Sequence, residues 1–185
     1  MDVAQDENDK RTEHEQERIQ IREMEIDDLA AVFHLGERLF TASDVPVLYR
    51  TWDEFEVTSI YQNDSEVGLV ANRGPDGELI GFALGTTITK KGSAWKYGHL
   101  IWLGVRPDQQ RHRVGERLLE VFIERMLEMG VRLLLVDTEA DNQPALDFFA
   151  KHGFGRPQNH VYLSLNLDDR RRAEGGSNGQ AAGAD

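Results

Sequence analysis

One junction between a strand pattern and a helix pattern constrains the fold of this chain more than any other segment. Residues 97–105, YGHLIWLGV, are predominantly apolar and predict a strand, and the loop after them is rich in cationic side chains. From about residue 113 to 129 the apolar positions recur on one helical stripe. These positions are Val114, Leu118, Phe122 and Met126. A strand that runs through a short loop into an amphipathic helix predicts an α/β domain.

Strand and helix patterns alternate along the rest of the chain as well. Their order is β-α-α-β-β-β-α-β-α-β, which predicts an α/β domain with a mixed sheet. A turn rich in Gly, Pro and Asp at 73–79 predicts a hairpin. Asp27 and Asn142 are predicted to cap the helices that follow them. The predicted strands are 18–24, 66–72, 79–89, 97–105, 132–140 and 160–167, and the predicted helices are 26–40, 51–62, 113–129 and 142–153.

Length and composition limit the number of domains and the available chemistry. The 185 residues suit a single core, so we expect one domain at 19–167. Residues 1–18 form an acidic arm and residues 168–185 a Gly/Ala-rich tail, and both are expected to be disordered. Because the chain has no cysteine, disulfides and thiolate metal sites are excluded, and we expect no metal.

Charge and hydropathy argue against two classes of partner. No apolar run approaches the roughly 18 residues that a membrane span needs, so we expect no membrane partner. Residues 1–18 are polar and acidic, the opposite of a signal peptide, which predicts a cytoplasmic protein. The net charge of -12 argues against binding to nucleic acid, which needs an extended basic surface.

The cationic loop has the features of an anion site. Its arginines are Arg106, Arg111, Arg113 and Arg117. The helix that follows offers unpaired backbone N–H groups and the positive end of its dipole, which favours binding of a phosphate. Gly115 would let such a ligand approach the backbone closely. The alternative is a solvated surface on which the arginines pair with Asp108 and Glu116.

Two spaced motifs give the chain a family resemblance. Neither a P-loop nor a Rossmann glycine motif is present. The motif residues are Val105, Pro107, Gln110, Gly115, Leu118 and Leu119 around the loop, and Asn142, Ala145, Gly153 and Phe154 further on. They resemble the loop V-x-P-x-x-[QR]-x-x-G-x-[GA] and the later N-x-x-A and Y-x-x-x-G-F patterns of the GNAT superfamily of N-acetyltransferases. Arg113 stands at the usual first glycine and Phe149 at the usual tyrosine.

The resemblance implies a central mixed, mostly antiparallel sheet flanked by helices, with acetyl-CoA as co-substrate. The pyrophosphate of CoA would lie on backbone N–H groups where the helix begins. The pantetheine arm would run along Leu103 and Val105, where two central strands part, and Asn142 would face it. In a first helical turn Arg113 would need no positive φ. The residues assigned to the cofactor are Leu103, Gly104, Val105, Gln110, Arg111, His112, Arg113, Val114, Gly115, Glu116, Asn142 and Phe149.

Acetyl transfer needs a polarised thioester carbonyl, a neutral amine and a proton for the leaving thiolate. A backbone N–H near Leu103 or Gly104 would bind the carbonyl oxygen. The usual tyrosine acid is absent because Phe149 has no hydroxyl, and Tyr97 and Tyr162 are the candidate substitutes.

Several side chains are candidates for the general base. Members of the family often use a carboxylate or a histidine on the strand before the loop. His99 and Tyr97 lie on that strand, and Asp137 and Glu139 lie at the end of the next one. Strand alternation places Tyr97 and His99 on one face with Leu103. The alternatives are that His99 is a hydrogen-bonded structural histidine and that Asp137 and Glu139 are only polar residues at a strand end.

The predicted function is an acyl-CoA-dependent N-acyltransferase that transfers acetyl to a small-molecule or peptide amine by direct attack in a ternary complex. The alternatives are a protein N-terminal acetyltransferase like those acting on ribosomal-protein alanines, and an acyl-CoA sensor or catalytically silent subunit. The aromatic and acidic segment 35–61, with Phe40, Trp52 and Phe55, predicts either a rim for a cationic amine or a cap packed on the sheet. The oligomeric state is open, although domains of this family often pair as homodimers through sheet edges.

Overall fold

The computed structural model describes residues 19–40, 52–74, 77–89, 91–92, 95–155 and 157–158. The described residues up to Asp137 form one compact unit, and those from Thr138 onward form a second. The predicted strand 160–167 lies outside the described residues.

The first unit is a five-stranded mixed sheet with helices, in the strand order β1-β2-β3-β4-β5. Its elements are β1 (Ile19–Glu23), α1 (Leu29–Leu39), α2 (Glu54–Asp64), β2 (Gly68–Arg73), β3 (Glu78–Thr89), β4 (Lys96–Val105), α3 (Val114–Glu128) and β5 (Val131–Val136). Neighbouring strands from β1 to β4 are antiparallel, and β5 runs parallel to β4. The predicted fold class, an α/β domain with a mixed and mostly antiparallel sheet, is confirmed, as is the β2–β3 hairpin. The second unit contains α4 (Gln143–Lys151).

The two faces of the sheet are covered by different helices. Phe82 and Leu84 of β3 are fully buried in a core cluster with Val32 of α1 and Val57 of α2. Alternate residues of β3 face the other way, and a β-carbon on Gly81 would lie 3.2 Å from Leu118 on α3. Each large apolar side chain buried in this way contributes about 1.5–3 kcal/mol of transfer free energy.

A bulge in β4 reverses its facing pattern. Leu84 of β3 pairs with Trp102, but the next residue of β3 pairs with Leu100, so Ile101 is the extra residue. As a consequence, a β-carbon on Gly98 would lie 2.7 Å from Met126 on α3, whereas one on Gly104 would lie 2.8 Å from Leu39 on α1. Simple alternation would put these two glycines on one face.

The bulge makes one sequence prediction wrong. Tyr97 and His99 do not share a face with Leu103, because the register with β3 changes between them. They share the face of Trp102, which belongs to the core under α1 and α2. Leu103 lies on the face covered by α3.

The helix start predicted at Asp27 is also corrected by the structure. A single 3-10 turn occupies Ile26–Asp28, and α1 begins after it. Asp28 accepts hydrogen bonds from both terminal nitrogens of Arg22, at 2.6 and 2.8 Å, and from the amide of Glu25 at 2.8 Å. Burial would raise the pKa of Asp28, but the bonds from Arg22 and Glu25 outweigh it and lower the pKa below its usual value.

Replacing Asp28 with alanine is expected to lower the free energy of unfolding by about 1–2 kcal/mol, because charge-assisted hydrogen bonds between β1 and the turn are lost. Urea unfolding near neutral pH measures this change. Asp27→Ala is the matched control, since Asp27 is exposed, and it should cost less than about 0.5 kcal/mol.

The same pair of variants has a pH signature. A carboxyl whose folded-state pKa is lowered contributes fully above its unfolded-state pKa of about 3.9, and the contribution is lost as the pH falls below that value. The stability gap between the wild type and Asp28→Ala should therefore narrow in acid. A gap that stays constant down to the lowest pH at which the protein is folded would contradict the assignment.

Candidate functional site

β4 and β5 lie side by side along only part of their length. Their last paired residues are Leu100 and Val136, whereas β3 remains paired with β4 as far as Val105. Within the described residues, no strand pairs with β4 on its β5 side beyond Leu100. The two central strands therefore part in the middle of β4.

The backbone groups of Leu103 and Val105 point towards this gap. The amide of Arg106 donates to the carbonyl of Ile80 on β3 at 2.9 Å. Because hydrogen-bonded and non-hydrogen-bonded pairs alternate in an antiparallel ladder, Leu103 and Val105 direct their N–H and C=O groups away from β3. In agreement, the carbonyl of Val105 accepts a long bond of 3.4 Å from the side chain of Gln110. A backbone edge of this kind accepts an extended ligand as an added strand.

The loop after β4 is held in place by polar contacts to the sheet. Nε and one terminal nitrogen of Arg106 donate to the two carboxylate oxygens of Asp108 at 2.6 and 2.7 Å, and Arg106 also bonds to Glu78 on β3. The bonds from Arg106 lower the pKa of Asp108 to about 2. The buried side chain of Gln109 accepts from Arg73 on β2 at 2.5 Å. The loop is thus fixed before any ligand binds.

Two arginines next to the start of α3 adopt left-handed backbone conformations. Arg111 has a φ of 71° and Arg113 a φ of 61°. The prediction that Arg113 would need no positive φ is wrong, because Arg113 is the residue before the first helical turn, which begins at Val114. Left-handed backbone costs about 1–2 kcal/mol in a residue with a β-carbon. The glycine that the loop motif usually has at the position of Arg113 would adopt this backbone conformation without that cost.

The cationic side chains of the loop divide into paired and available ones. Arg113 donates to Glu116 at 2.8 Å, and Arg117 donates to the carbonyl of Ile19 at 3.0 Å. Together with the Arg106–Asp108 pair, these contacts agree with the alternative of locally paired arginines. Arg111 is exposed and makes no hydrogen bond or ion pair with another described residue.

The remaining loop positions surround the first turn of α3. Gln110 and His112 are exposed, Val114 is buried and Gly115 is half-buried. Their backbone lies at the N-terminus of a 15-residue helix, where amide groups lack intrahelical partners. The structure therefore brings together the predicted loop set, Gln110 to Glu116, and the strand set, Leu103 to Val105.

His99 and Asp137 form a close pair where the strands part. Nε2 of His99 lies 2.6 Å from Oδ1 of Asp137. His99 comes directly before Leu100, and Asp137 comes directly after Val136, the last paired residues of the two strands. The side chains are 24% and 38% exposed, so the pair is partly shielded from water.

The sequence named His99 and Asp137 separately but missed that they meet. The available signal was the helical crossover between two strand patterns, which predicts parallel neighbours whose carboxyl ends lie together. Tyr97 lies on the same face as His99, half-buried and paired with Ile88 and Leu133.

Two predicted site residues belong to the second unit and are described within it. Asn142 caps α4 as predicted, since its Oδ1 accepts from the amide of Ala145 at 3.3 Å. Its amide nitrogen donates to Thr138 at 3.1 Å. Phe149 packs its ring against Phe154, with centroids 5.3 Å apart.

The aromatic residues before β2 serve mainly as packing. The rings of Phe40 and Trp102 have centroids 4.7 Å apart, and Trp52 stacks on Phe82 at 5.3 Å. For Phe40 and Trp52 the packed cap is the correct alternative, whereas Phe55 is 73% exposed. The rest of the predicted rim at 41–51, and Tyr162, lie outside the described residues.

Two features are absent from the described part of the chain. It contains no cluster of three or more His, Asp or Glu side chains arranged to hold a metal ion. None of its helices combines the length and apolarity needed to cross a membrane.

Comparison with known proteins gives consistent matches. Residues 29–154 match the family model described as Acetyltransferase (GNAT) family. The mycothiol acetyltransferase of Sanguibacter keddieii is 35% identical over 101 residues, which are 54% of this chain but only 31% of that relative. The [ribosomal protein bS18]-alanine N-acetyltransferase of Escherichia coli is 27% identical over 134 residues, covering 72% of this chain and 79% of the relative.

The fold is also similar to solved structures. A chain of the NatC complex bound to Gag peptide and CoA aligns with a TM-score of 0.67 at 18% identity, over 79% of this chain and 91% of that one. At this identity the likeness concerns the fold alone. The chain spans about a third of the mycothiol acetyltransferase that it matches.

The strained backbone at Arg113 leads to a stability prediction. Arg113→Gly should raise the free energy of unfolding by about 0.5–1 kcal/mol, because relief of the left-handed strain exceeds the entropy lost by glycine on folding. Thermal unfolding should show a midpoint about 2–3 °C higher. Arg113→Ala is the control, since alanine removes the same side chain and keeps the strain. Equal midpoints for the glycine and alanine variants would refute a strained backbone at this position.

Proposed function

The chain belongs to the GNAT acetyltransferase family, and on that premise we propose that it transfers the acetyl group of acetyl-CoA to an α-amino group by direct attack in a ternary complex. The acceptor would be the N-terminus of a peptide or a small molecule that carries an amino-acid-like amine. GNAT acetyltransferases act on amine acceptors, and the α-amine is the finer part of the proposal.

The observation that carries the proposal is the backbone edge at Leu103 and Val105, which ends in the fixed loop before α3. An extended pantetheine arm fits that edge, since its amide groups match the free backbone groups of a strand. The pyrophosphate fits the N-terminus of α3 with Arg111 beside it. Acetyl-CoA supplies an activated thioester whose sulfur is a good leaving group.

The residues near the parting have separate roles. The backbone N–H of Leu103 is directed to the gap and would donate to the thioester carbonyl oxygen, which stabilises the charge that develops there. His99 would accept the proton of the attacking amine. Phe149 supplies no acid, and a CoA thiolate can leave without one.

The choice of an α-amine follows from the cost of making each amine neutral. At pH 7, deprotonating a lysine side chain with a pKa of about 10.4 costs about 4.6 kcal/mol, whereas deprotonating an α-amine costs about 1 kcal/mol. Two comparisons favour the same class: one relative's name specifies an alanine N-acetyltransferase, and one similar structure holds a peptide with CoA.

Binding of acetyl-CoA can be tested on the loop. Arg111→Ala should weaken acetyl-CoA binding about tenfold in calorimetry, because a charge-assisted bond to phosphate is lost. Arg125→Ala is the control with the same change of charge, since Arg125 pairs with Glu23 and Glu128 at the far end of α3. Equal affinities of the two variants for acetyl-CoA would show that Arg111 does not bind its phosphate groups.

The acceptor class can be tested with matched peptides. A peptide with a free α-amine and no lysine should be acetylated at least about tenfold faster near pH 7 than an N-blocked peptide with one lysine, because its amine needs less energy to become neutral. Release of the CoA thiol measures both rates. A faster lysine peptide would exclude the α-amine class. Tight binding of acetyl-CoA with no turnover of any amine would favour an acyl-CoA sensor.

A further inference from the structure

We propose that Asp137 is the positioning residue of the acetyl transfer, and that it sets the tautomer of His99 so that Nδ1 is the atom that accepts the proton of the amine. The inference rests on the proposed function and names a partner for its base. It starts from the 2.6 Å contact between Nε2 of His99 and Oδ1 of Asp137.

The contact fixes the proton on one nitrogen of the ring. A carboxylate only accepts hydrogen bonds, so a neutral imidazole must donate Nε2–H to Asp137. The lone pair is then on Nδ1, and the imidazolium that forms during the reaction remains paired with the carboxylate. A histidine with a movable proton would spend part of its time with Nδ1 protonated and unable to act as a base.

The location of the pair distinguishes it from an ordinary surface contact. It lies at the last paired position of β4 and β5, where the gap beside Leu103 and Val105 begins. His99 is held in register by β3, where it pairs with Thr86, and the Thr86 hydroxyl donates to Asp64 at the end of α2 at 2.6 Å. The strand pairing therefore holds the backbone of His99, and Asp137 contacts its ring.

The titratable groups on this face include Asp137 after β5, Tyr97 on β4, and Asp64 and Tyr61 on α2. β3 and α2 carry no lysine or arginine.

The proton and electron pairs balance in the proposed step. The amine nitrogen forms a bond to the acetyl carbon, and the bond from that carbon to sulfur breaks with its electron pair leaving on sulfur. The nitrogen loses its proton to Nδ1 of His99. His99 then returns a proton to solvent, and the sulfur takes one from solvent, so that the products are an N-acetyl amine and a CoA thiol.

The first test observes the tautomer directly in the full-length protein without any substrate. Two-bond ¹H–¹⁵N correlation spectra of the histidine rings, with His99→Gln used to assign the signal, should show neutral His99 protonated at Nε2. In Asp137→Asn the amide can donate to Nε2, so the spectrum should change to the Nδ1-protonated form. A spectrum with Nδ1 protonated in the wild type would overturn the proposal.

The second test separates positioning from structural support. Asp137→Asn should lower kcat for the α-amine peptide about 10- to 100-fold, because part of the rate contributed by the general base is lost. The KM for acetyl-CoA should change by less than about twofold. Asp137→Glu keeps a carboxylate and should recover at least part of the lost kcat. Asp137→Asn should cost no further rate in a His99→Ala background, because the two residues act as one unit.

Each outcome has a distinct meaning. If both Asp137 variants lower the thermal midpoint equally and leave kcat unchanged, the pair only joins two strands and the proposal is wrong. If the wild type turns over no amine while its tautomer is as expected, the proposed function fails and the assignment of the proton remains. Additive losses in the double variant would overturn the coupling of the two residues.

Discussion

The site depends on one constraint: β4 must remain paired with β3 while it separates from β5. Within the described residues, the separation leaves the backbone groups of Leu103 and Val105 without a strand partner on the β5 side. Such groups are unfavourable unless a side chain, water or a ligand satisfies them. The Ile101 bulge lies at the same position along β4. An added residue increases the local twist of a strand, so the bulge and the parting are two aspects of one distortion. Under the proposed function, that distortion provides the backbone edge for the cofactor and places His99 on the face of Trp102.

The loop after β4 combines strain with strong anchoring. Arg111 and Arg113 hold left-handed backbone conformations that glycine would adopt at lower cost. Arg106 and Gln109 fix the loop to β3 and β2 through their contacts with Glu78 and Arg73, and these contacts offset the strain. Backbone strain of this type is retained in proteins mainly where the surrounding structure enforces it at functional sites. The arginine side chains, which glycine lacks, provide a reason for retaining it in this loop.

Much of the fold could be predicted from the sequence, because its signals are local. The turn at 73–79 gave the hairpin, and the stripe from Val114 to Met126 gave α3 nearly to the residue. The bulge at Ile101 could not be predicted, because it depends on the register with β3 and leaves the pattern of half-buried and buried residues along β4 unchanged. For the same reason Leu103 was expected on the wrong face. In the site, the roles of single residues stay predictions, and pairings such as His99 with Asp137 arise only when distant strands meet.

Under the proposed function, the arrangement of charge would let one acidic chain bind two substrates of opposite sign. The net charge of -12 would oppose a polyphosphate ligand only if it acted at long range, and at physiological salt the Debye length is about 8 Å. The cations of the loop begin at Arg106, and His99 lies seven residues earlier on β4. At about 3.3 Å per residue, less the bulge, the two are on the order of 20 Å apart. Under the proposed function, the start of the cationic loop is thus more than one Debye length from His99, so its charge would act only weakly on an ammonium group bound there.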